Sequence, residues 1–537
     1  EQAVRGRIVS IASSAKMTPQ LSTWMDEFLG HFVTRPGELD FSDIDEVFER
    51  QDRPSQRRIL HEADLKDPKR MISAFMKREV YPEVKDPRPI STINSVDKRD
   101  YSMVTYALYP IFKDSNWYAF GLTPLEIADR VALLCSRQGV ASVVETDLSR
   151  FDGRVSEVLR TLERRLLSRA FKAKLVDIAL HLHSAQYGLL GRFSSGVVYD
   201  TGNARCSGSP ETALFNSLAN AFMAYCTYRE SGLESATAYN SLGIYGGDDG
   251  VSPNVEPAIC EKVCLTVGQV IKAKKVIRGQ PVTFLARVFG PGVWYGDNNS
   301  CCDILRQITK LHVTTSLDVP PKVKFIEKMY SYFLTDPGTP IFGSIHAWMI
   351  FYGHYPLTEE SVASYRTGRD TTWFGQFHHS VQFPNHHDEW MFKIVHDAMP
   401  TFDWRKLVEY TTTEQTLEEF VANMPTCYEF PPMVVPPEVL VNGDNLDAFP
   451  KTPEELPAPE AKQPSNVGNE PSPMVVPPVA EVVAKAPAKP AGKHKAKPKV
   501  AGHDKQLSKN SRRKEARHAK PKQAEARKAK PEAGAKL

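Results

Sequence analysis

Ser241-Leu-Gly-Ile-Tyr-Gly-Gly-Asp-Asp-Gly250 is the stretch from which the fold can be read. Apolar residues lead into it, and glycines stand on both sides of Asp248-Asp249. Gly246, Gly247 and Gly250 can supply the positive φ of a tight hairpin turn. A strand is therefore predicted to rise through Leu242, Ile244 and Tyr245, turn, and return through Val251. Two like charges then sit at the turn. Such a pair is costly unless a cation neutralises it, and carboxylates converging on Mg²⁺ are a common way to hold phosphates in reaction geometry. An exposed Asp-Gly turn would look the same over three residues, so the metal reading needs a second carboxylate site upstream.

Ala141-Ser-Val-Val-Glu-Thr-Asp147 supplies it: a short β-branched run that reads as a buried strand ending in an acid. Asp147-Leu-Ser-Arg-Phe-Asp152 then places two acids five apart where strand gives way to turn. Taken alone, Asp147 reads as a helix-capping acid. Together with Asp248 on a neighbouring hairpin, it reads as the second metal ligand. A third piece is Arg205-Cys-Ser-Gly-Ser-Pro-Glu-Thr-Ala-Leu-Phe-Asn-Ser-Leu-Ala-Asn220, where Ser209 can cap a helix and Pro210 fits its first position. Thr212, Asn216 and Asn220 then share one face. That polar stripe needs partners, either ribose hydroxyls or groups within the protein.

The rest of the chain frames these motifs. At 537 residues it is long enough for two or more domains. The net charge of +3 hides an asymmetry: the residues after 480 hold 18 Lys or Arg against 5 acids, which leaves the first 480 at −10. A mildly acidic body with a basic tail suggests a nucleic-acid or membrane-surface partner. The 8 cysteines show no CxxC pairing and no disulfide-scaffold density, so a reducing compartment is expected. No apolar run is long enough to span a membrane, and no secretory segment opens the chain. Glu1 in place of Met suggests a fragment or a processed product.

Pro19 to Val33 predicts an amphipathic helix with Leu21, Trp24, Met25, Phe28 and Phe32 inward. Between Phe75 and Ser91, Pro87 and Pro89 keep the backbone extended, so that Lys77, Arg78, Lys85 and Arg88 line either a groove or a solvated loop. Thr123-Pro-Leu-Glu126 is a capping box that opens a helix running towards Val140. Residues 300 to 425 are rich in aromatics and histidines, including His378-His379 and His386-His387. No recognised ligand spacing emerges, and packing is the expectation. Met433-Val-Val-Pro-Pro437 recurs as Met474-Val-Val-Pro-Pro478 in sequence that cannot bury a core, and from about residue 430 the chain is expected to be extended and disordered.

With these residues assembled, the chain resembles the RNA-dependent RNA polymerases of positive-strand RNA viruses, most of all nodavirus and noda-like replicases. The likeness runs from about residue 70 to 290 with the motifs in the family's order. Lys77, Glu79 and Arg88 stand where the basic fingers motif grips the triphosphate. Asp147 and Asp152 fit the first palm motif. Ser207, Gly208, Thr212 and Asn216 fit SGxxxTxxxN, and Gly247-Asp248-Asp249 fits GDD. Lys272-Ala-Lys-Lys275 resembles the motif with a proton-donating lysine, with Lys274 or Lys275 as the donor. Phe284-Leu-Ala-Arg-Val-Phe289 resembles the hairpin that supports the primer end.

The resemblance implies an α+β right-hand polymerase with an antiparallel palm sheet and a disordered basic C-terminal tail. Residues 1–140 would be an N-terminal extension and fingers, 141–157 palm and 158–200 a fingers insertion. Residues 201–299 would return to the palm, followed by a thumb at 300–428, a Pro-rich linker at 429–480 and the tail at 481–537. Asp147, Asp248 and Asp249 would hold two Mg²⁺ ions, with Mn²⁺ as a substitute, for nucleotidyl transfer from NTPs. Asp152, Ser207, Gly208, Thr212 and Asn216 would read the nucleotide, and Lys77 and Arg88 would neutralise its triphosphate. Partners would be RNA template and product within a viral replication complex, with host or membrane partners reached through linker and tail. The setting would be host cytoplasm at membrane-associated replication complexes. The rival readings are a reverse transcriptase, against which Asp152 and Asn216 argue, and a non-catalytic RNA-tethering protein, against which the intact acids argue.

Overall fold

The computed structural model describes residues 2–51, 54–65, 67–68, 71–77, 86–311, 313–314, 319–354 and 382–431. Arg78, Glu79, Lys85, His378, His379, both Met-Val-Val-Pro-Pro copies and the basic tail lie outside them. The described elements follow the predicted order closely. Thr18 caps α1 (Pro19–Phe32), its hydroxyl accepting from the Leu21 N–H at 3.2 Å with Pro19 at the first helical position. All five predicted apolar residues of that helix are buried. Strands β1 (Met71–Met76) and β2 (Pro89–Thr92) form an antiparallel pair before α2 (Ser95–Asp114). The capping box opens α3 (Pro124–Ser136): the Glu126 carboxylate accepts from the Thr123 N–H at 2.7 Å, and Thr123 Oγ1 accepts from the Glu126 N–H at 3.3 Å.

The acid-ended strand is β3 (Ser142–Leu148), followed by α4 (Glu157–Ala170) and α5 (Ala173–Ser184). Strands β4 (Leu190–Phe193) and β5 (Val198–Asp200) then extend the first sheet to the order β2-β1-β4-β5. Next comes α6 (Thr212–Glu230), whose start differs from expectation. Ser209 does not cap it; the Ser209 hydroxyl donates to Gln186 Oε1 at 3.0 Å, and the helix begins two residues after Pro210. A partner from elsewhere in the fold has outcompeted the local cap.

β6 (Ile244–Gly246), β7 (Asp249–Pro253), α7 (Pro257–Thr266) and β8 (Ile271–Ile277) complete the central layer. Its strand order is β6-β7-β3-β8, with every pairing antiparallel. Alternation along β3 explains its two faces. Val144 and Leu148 point into the core shared with α6 and α7, whereas Val143, with its neighbours Val251 and Val276, packs under α3 and the hairpin that follows. Each of these fully buried valines contributes about 1.5 to 3 kcal/mol of burial. A charged replacement at Val143 or Val144 would break the layer, because the strand is covered on both sides.

A third, three-stranded sheet holds β9 (Val282–Phe284), β10 (Arg287–Phe289) and β11 (Ser300–Cys302). Beyond it, α8 (Pro321–Thr335), α9 (Phe342–Phe351) and α10 (Glu389–Ala398) enclose a separate apolar core built on Met329, Phe342, Trp348, Val395 and Phe420. Buried Arg287 ties β10 to this core through Asp336 at 3.1 Å. His386 is exposed and held by its backbone to the Asn299 amide, and the exposed His387 ring lies against Phe392. All eight cysteines are free.

Candidate active site

The hairpin predicted at the double aspartate is present and tighter than expected. Gly246 pairs with Asp249, leaving Gly247 and Asp248 as a two-residue loop, and the rising strand begins at Ile244 rather than Leu242. Of the three glycines expected at positive φ, only Gly247 adopts it, at 66°. Positive φ at the first loop residue is what a type II′ turn demands. Gly250 is required for space instead: a Cβ there would lie 2.6 Å from Thr146 Oγ1 and 2.7 Å from the Tyr245 ring.

Register fixes where the acids point. Asp147 is the direct partner of Asp249 across the β3–β7 pair, and paired residues share a face. Asp248 rises from the turn beside them, and its carbonyl accepts from the Leu148 N–H at 3.3 Å. Three carboxylates therefore stand at one end of the sheet, two from paired strands and one from the turn, with about 100 residues of sequence between Asp147 and the other two. Desolvation in the cleft, the charges of Asp147 and Asp152, and a partial offset from Arg88 leave the Asp248 carboxyl above its ordinary range. Asp249 is pushed up to about 7, first by desolvation and then by Asp248 and Asp147. The mutual repulsion marks a site short of positive charge, and the side-chain oxygens gathered there are hard donors of the kind that suit Mg²⁺.

Two residues of α6 that the sequence reading did not assign to the site hold the turn in place. Ser217 Oγ accepts from the Gly247 N–H at 2.9 Å. The Asn220 amide donates to the carbonyls of Gly247 at 3.2 Å and Asp249 at 3.1 Å. Asn220 was visible in the polar stripe, yet its partners are backbone rather than ribose. Thr212, from the same stripe, donates its hydroxyl to the Ser209 carbonyl at 2.9 Å within its own loop.

Asn216 is different. Its Nδ2 donates to Asp152 Oδ1 at 2.9 Å, so the two predicted ribose-reading residues are joined. Asp152 Oδ2 has no hydrogen-bond partner among the described residues. Ser207 and Gly208 dock against β2: the Gly208 N–H donates to the Ser91 carbonyl at 3.0 Å, and a Cβ on Gly208 would sit 2.8 Å from that oxygen. Lys77 and Arg88 extend the β1–β2 pair, with the Lys77 N–H donating to the Arg88 carbonyl at 2.8 Å. Arg154 was missed. It closes the short turn that holds Asp152, its Nε is buried without a hydrogen-bond partner, and burial and the nearby Arg150 lower its proton affinity.

The lysines separate by strand alternation. Lys275 lies on the face opposite Asp147 and pairs with Glu256. Lys274 shares the face of Asp147 but lies two residues further along the strand, where it pairs with Glu145 at 3.3 Å. Lys272 is the register partner of Asp147 and is exposed. The geometry thus sets Lys274 and Lys275 away from the acids and Lys272 beside them.

Among the described residues, the one group of potential metal ligands drawn within 4.8 Å of each other is Glu163, His183 and Glu211. It is no metal centre, because Arg160 and Arg205 already occupy it as counter-charges. The aspartates at the sheet end are not drawn that close together.

No protein-family model matches the chain. Among known proteins it is similar to RNA-directed RNA polymerases of nodaviruses. It is 32% identical over 351 residues to that of Striped jack nervous necrosis virus, covering 63% of this chain and 35% of the relative. It is 29% identical over 356 residues to that of Pariacoto virus, covering 64% and 36%. For the polymerase of Macrobrachium rosenbergii nodavirus the identity is 30% over 384 residues, covering 68% and 35%. The chain thus spans about a third of the length of these relatives. Among solved structures it is similar to the RNA-dependent RNA polymerase of a human picobirnavirus, with TM-score 0.46 and 13% identity, covering 60% of this chain and 68% of that one. The resemblance read from the motifs is to the same group of proteins.

Proposed function

We propose that the chain is an RNA-directed RNA polymerase that copies a positive-strand viral RNA genome from NTPs. The observation that carries the reading is the opposition of Asp147 and Asp249 in register, with Asp248 at the adjoining turn and the Asp152–Asn216 pair beside them. Similarity to nodavirus polymerases supports it. The first two sheets with α2 to α7 would make fingers and palm, and the core beyond β11 the thumb of a right hand.

Asp147 and Asp248, supported by Asp249, would hold two Mg²⁺ ions, which supply charge neutralisation at the attacking 3′-oxygen and at the departing pyrophosphate. The chain's own residues do the rest. Arg88 and Lys77 neutralise and orient the triphosphate. The free Asp152 oxygen accepts the ribose 2′-OH, while Asn216 fixes the carboxylate. The primer 3′-hydroxyl gives its proton to solvent and its oxygen forms a bond to the α-phosphorus as the α–β bridging bond breaks, while Lys272 would give a proton to the leaving pyrophosphate. The aromatic-free basic tail would hold RNA phosphates without reading sequence. The setting would be host cytoplasm at membrane-associated replication complexes, although no described helix is long and apolar enough to cross a membrane. Primer extension and de novo initiation on homopolymer RNA, with purified protein and each NTP, test the reading; template-independent or absent incorporation would overturn it.

A further inference from the structure

The central feature is the buried cluster that excludes a metal. Arg160 and Glu163 from α4, His183 from α5, Arg205 from the loop before α6, and Glu211 at the start of α6 are all almost inaccessible to solvent. Arg160 bridges Glu163 and Glu211, at 2.8 Å to each. Arg205 bridges the same two acids, at 2.5 Å to Glu163 and 2.6 Å to Glu211. His183 closes the ring on Glu163 at 2.7 Å. Two guanidinium groups and two carboxylates thus balance inside the fold.

Such a cluster is an expensive way to fill a core. Taking four charges out of water costs as much as their attraction returns, and apolar packing of the same volume is often as stable or more so. What it positions is one use such a cluster can have. Arg205 carries that use, because it touches both members of the ribose-reading pair. Its backbone N–H donates to the Asp152 carbonyl at 2.8 Å, and its Nε donates to Asn216 Oδ1 at 2.6 Å.

The second contact decides the sense of the Asn216 amide. Arginine has donors only, so the amide oxygen must face Arg205 and the NH₂ must face Asp152. With the NH₂ bound to Oδ1, the Oδ2 of Asp152 is left to accept a hydroxyl. Rotating the amide would set NH₂ against guanidinium and oxygen against carboxylate, two repulsions in a low-dielectric site. Glu163 and Glu211 use the Nη atoms of Arg205 and so fix the direction of its Nε.

We propose that Arg205, held by Glu163 and Glu211, is a positioning residue for ribose selection: it orients Asn216 so that Asp152 presents one free oxygen to the 2′-OH of the incoming nucleotide. The inference rests on the polymerase reading above. It is distinct from that reading because Arg205 need not touch the nucleotide.

Arg205→Lys is the informative variant, since it keeps a cation between the two acids and removes the Nε–H. The ratio of rNTP to dNTP incorporation on a fixed primer-template is measured for wild type, Arg205→Lys, Asn216→Ala and the charge-matched double variant Arg205→Met/Glu211→Gln. The double variant guards against misfolding from an uncompensated buried charge. Arg205→Lys and the double variant are expected to lower the ratio about tenfold or more, approaching Asn216→Ala, as loss of a charge-assisted hydrogen bond implies. A folded Arg205→Lys or double variant that slows both nucleotides equally and keeps the wild-type ratio would overturn the proposal while leaving the polymerase reading intact. If Asn216→Ala keeps the wild-type ratio, or wild type extends no primer, the reading beneath fails and the proposal with it.

Discussion

Asp147 and Asp249 stand opposite each other in the register of two antiparallel strands, two carboxylates on one face of one sheet. Like charges in directly opposed strand positions destabilise a sheet by up to about 1 kcal/mol. Without a divalent cation and above about pH 7, where Asp249 is ionised, Asp249→Asn should therefore raise the resistance of the protein to denaturant by about that amount while lowering its activity, the usual exchange at a functional site. Urea unfolding in EDTA compares the two proteins. A variant less stable than wild type would mean that the acids do not repel as their placement requires.

The turn that carries Asp248 depends on Asn220. Removing an amide that serves two buried carbonyls should cost about 1 to 3 kcal/mol. Because those carbonyls belong to Gly247 and Asp249, Asn220→Ala should also lower kcat more than it raises KM for NTP. Steady-state kinetics on a folded variant check this; a change confined to KM would show that the hairpin does not need the clamp.

Proton delivery should follow strand alternation. Lys272→Ala is expected to slow incorporation about 10²-fold, the ordinary contribution of a general acid. Lys275→Ala, on the other face and paired with Glu256, should leave the rate within about a factor of two of wild type. Single-turnover rates for both variants decide it, and the reverse ranking would return the assignment to the other lysine.

These residues show what the sequence could and could not carry. The double aspartate, its upstream acid and the Asn216 spacing were legible because each motif is local and the chemistry demands those residue types. The capping box at Thr123 and the five inward residues of α1 were legible for the same reason. The choice among Lys272, Lys274 and Lys275 was not, because it depends on which residue of β3 each one faces. The roles of Asn220 and Ser217 were hidden likewise, since their partners are backbone groups of a hairpin some 30 residues downstream. Arg205 draws its counter-charges from Glu163 and Glu211, and no local pattern announces a partner 42 residues away. Ser209 misled because a tertiary partner, Gln186, competed with the helix end.

Acid should loosen the core beyond β11 through His346. Burial holds this imidazole down at about 4 against an ordinary value of 6.5, and it stacks on Phe333 at 4.7 Å. The unfolded chain then binds the proton more readily than the native one between those values. Stability therefore rises with pH across that window and is lost as pH falls from 6.5 towards 4, by about 3 kcal/mol at most. Unfolding of His346→Gln against wild type over this range measures it: the variant should lose less stability on acidification, and parallel curves would assign the acid sensitivity elsewhere.

The most direct test of the polymerase reading is templated nucleotide incorporation by wild type and Asp248→Asn under Mg²⁺, with circular dichroism to check the fold. Asp248 sits at a turn and makes no core contact, so its amide variant should fold normally and lose at least about 100-fold in rate. Normal RNA synthesis by a correctly folded Asp248→Asn protein would contradict the account.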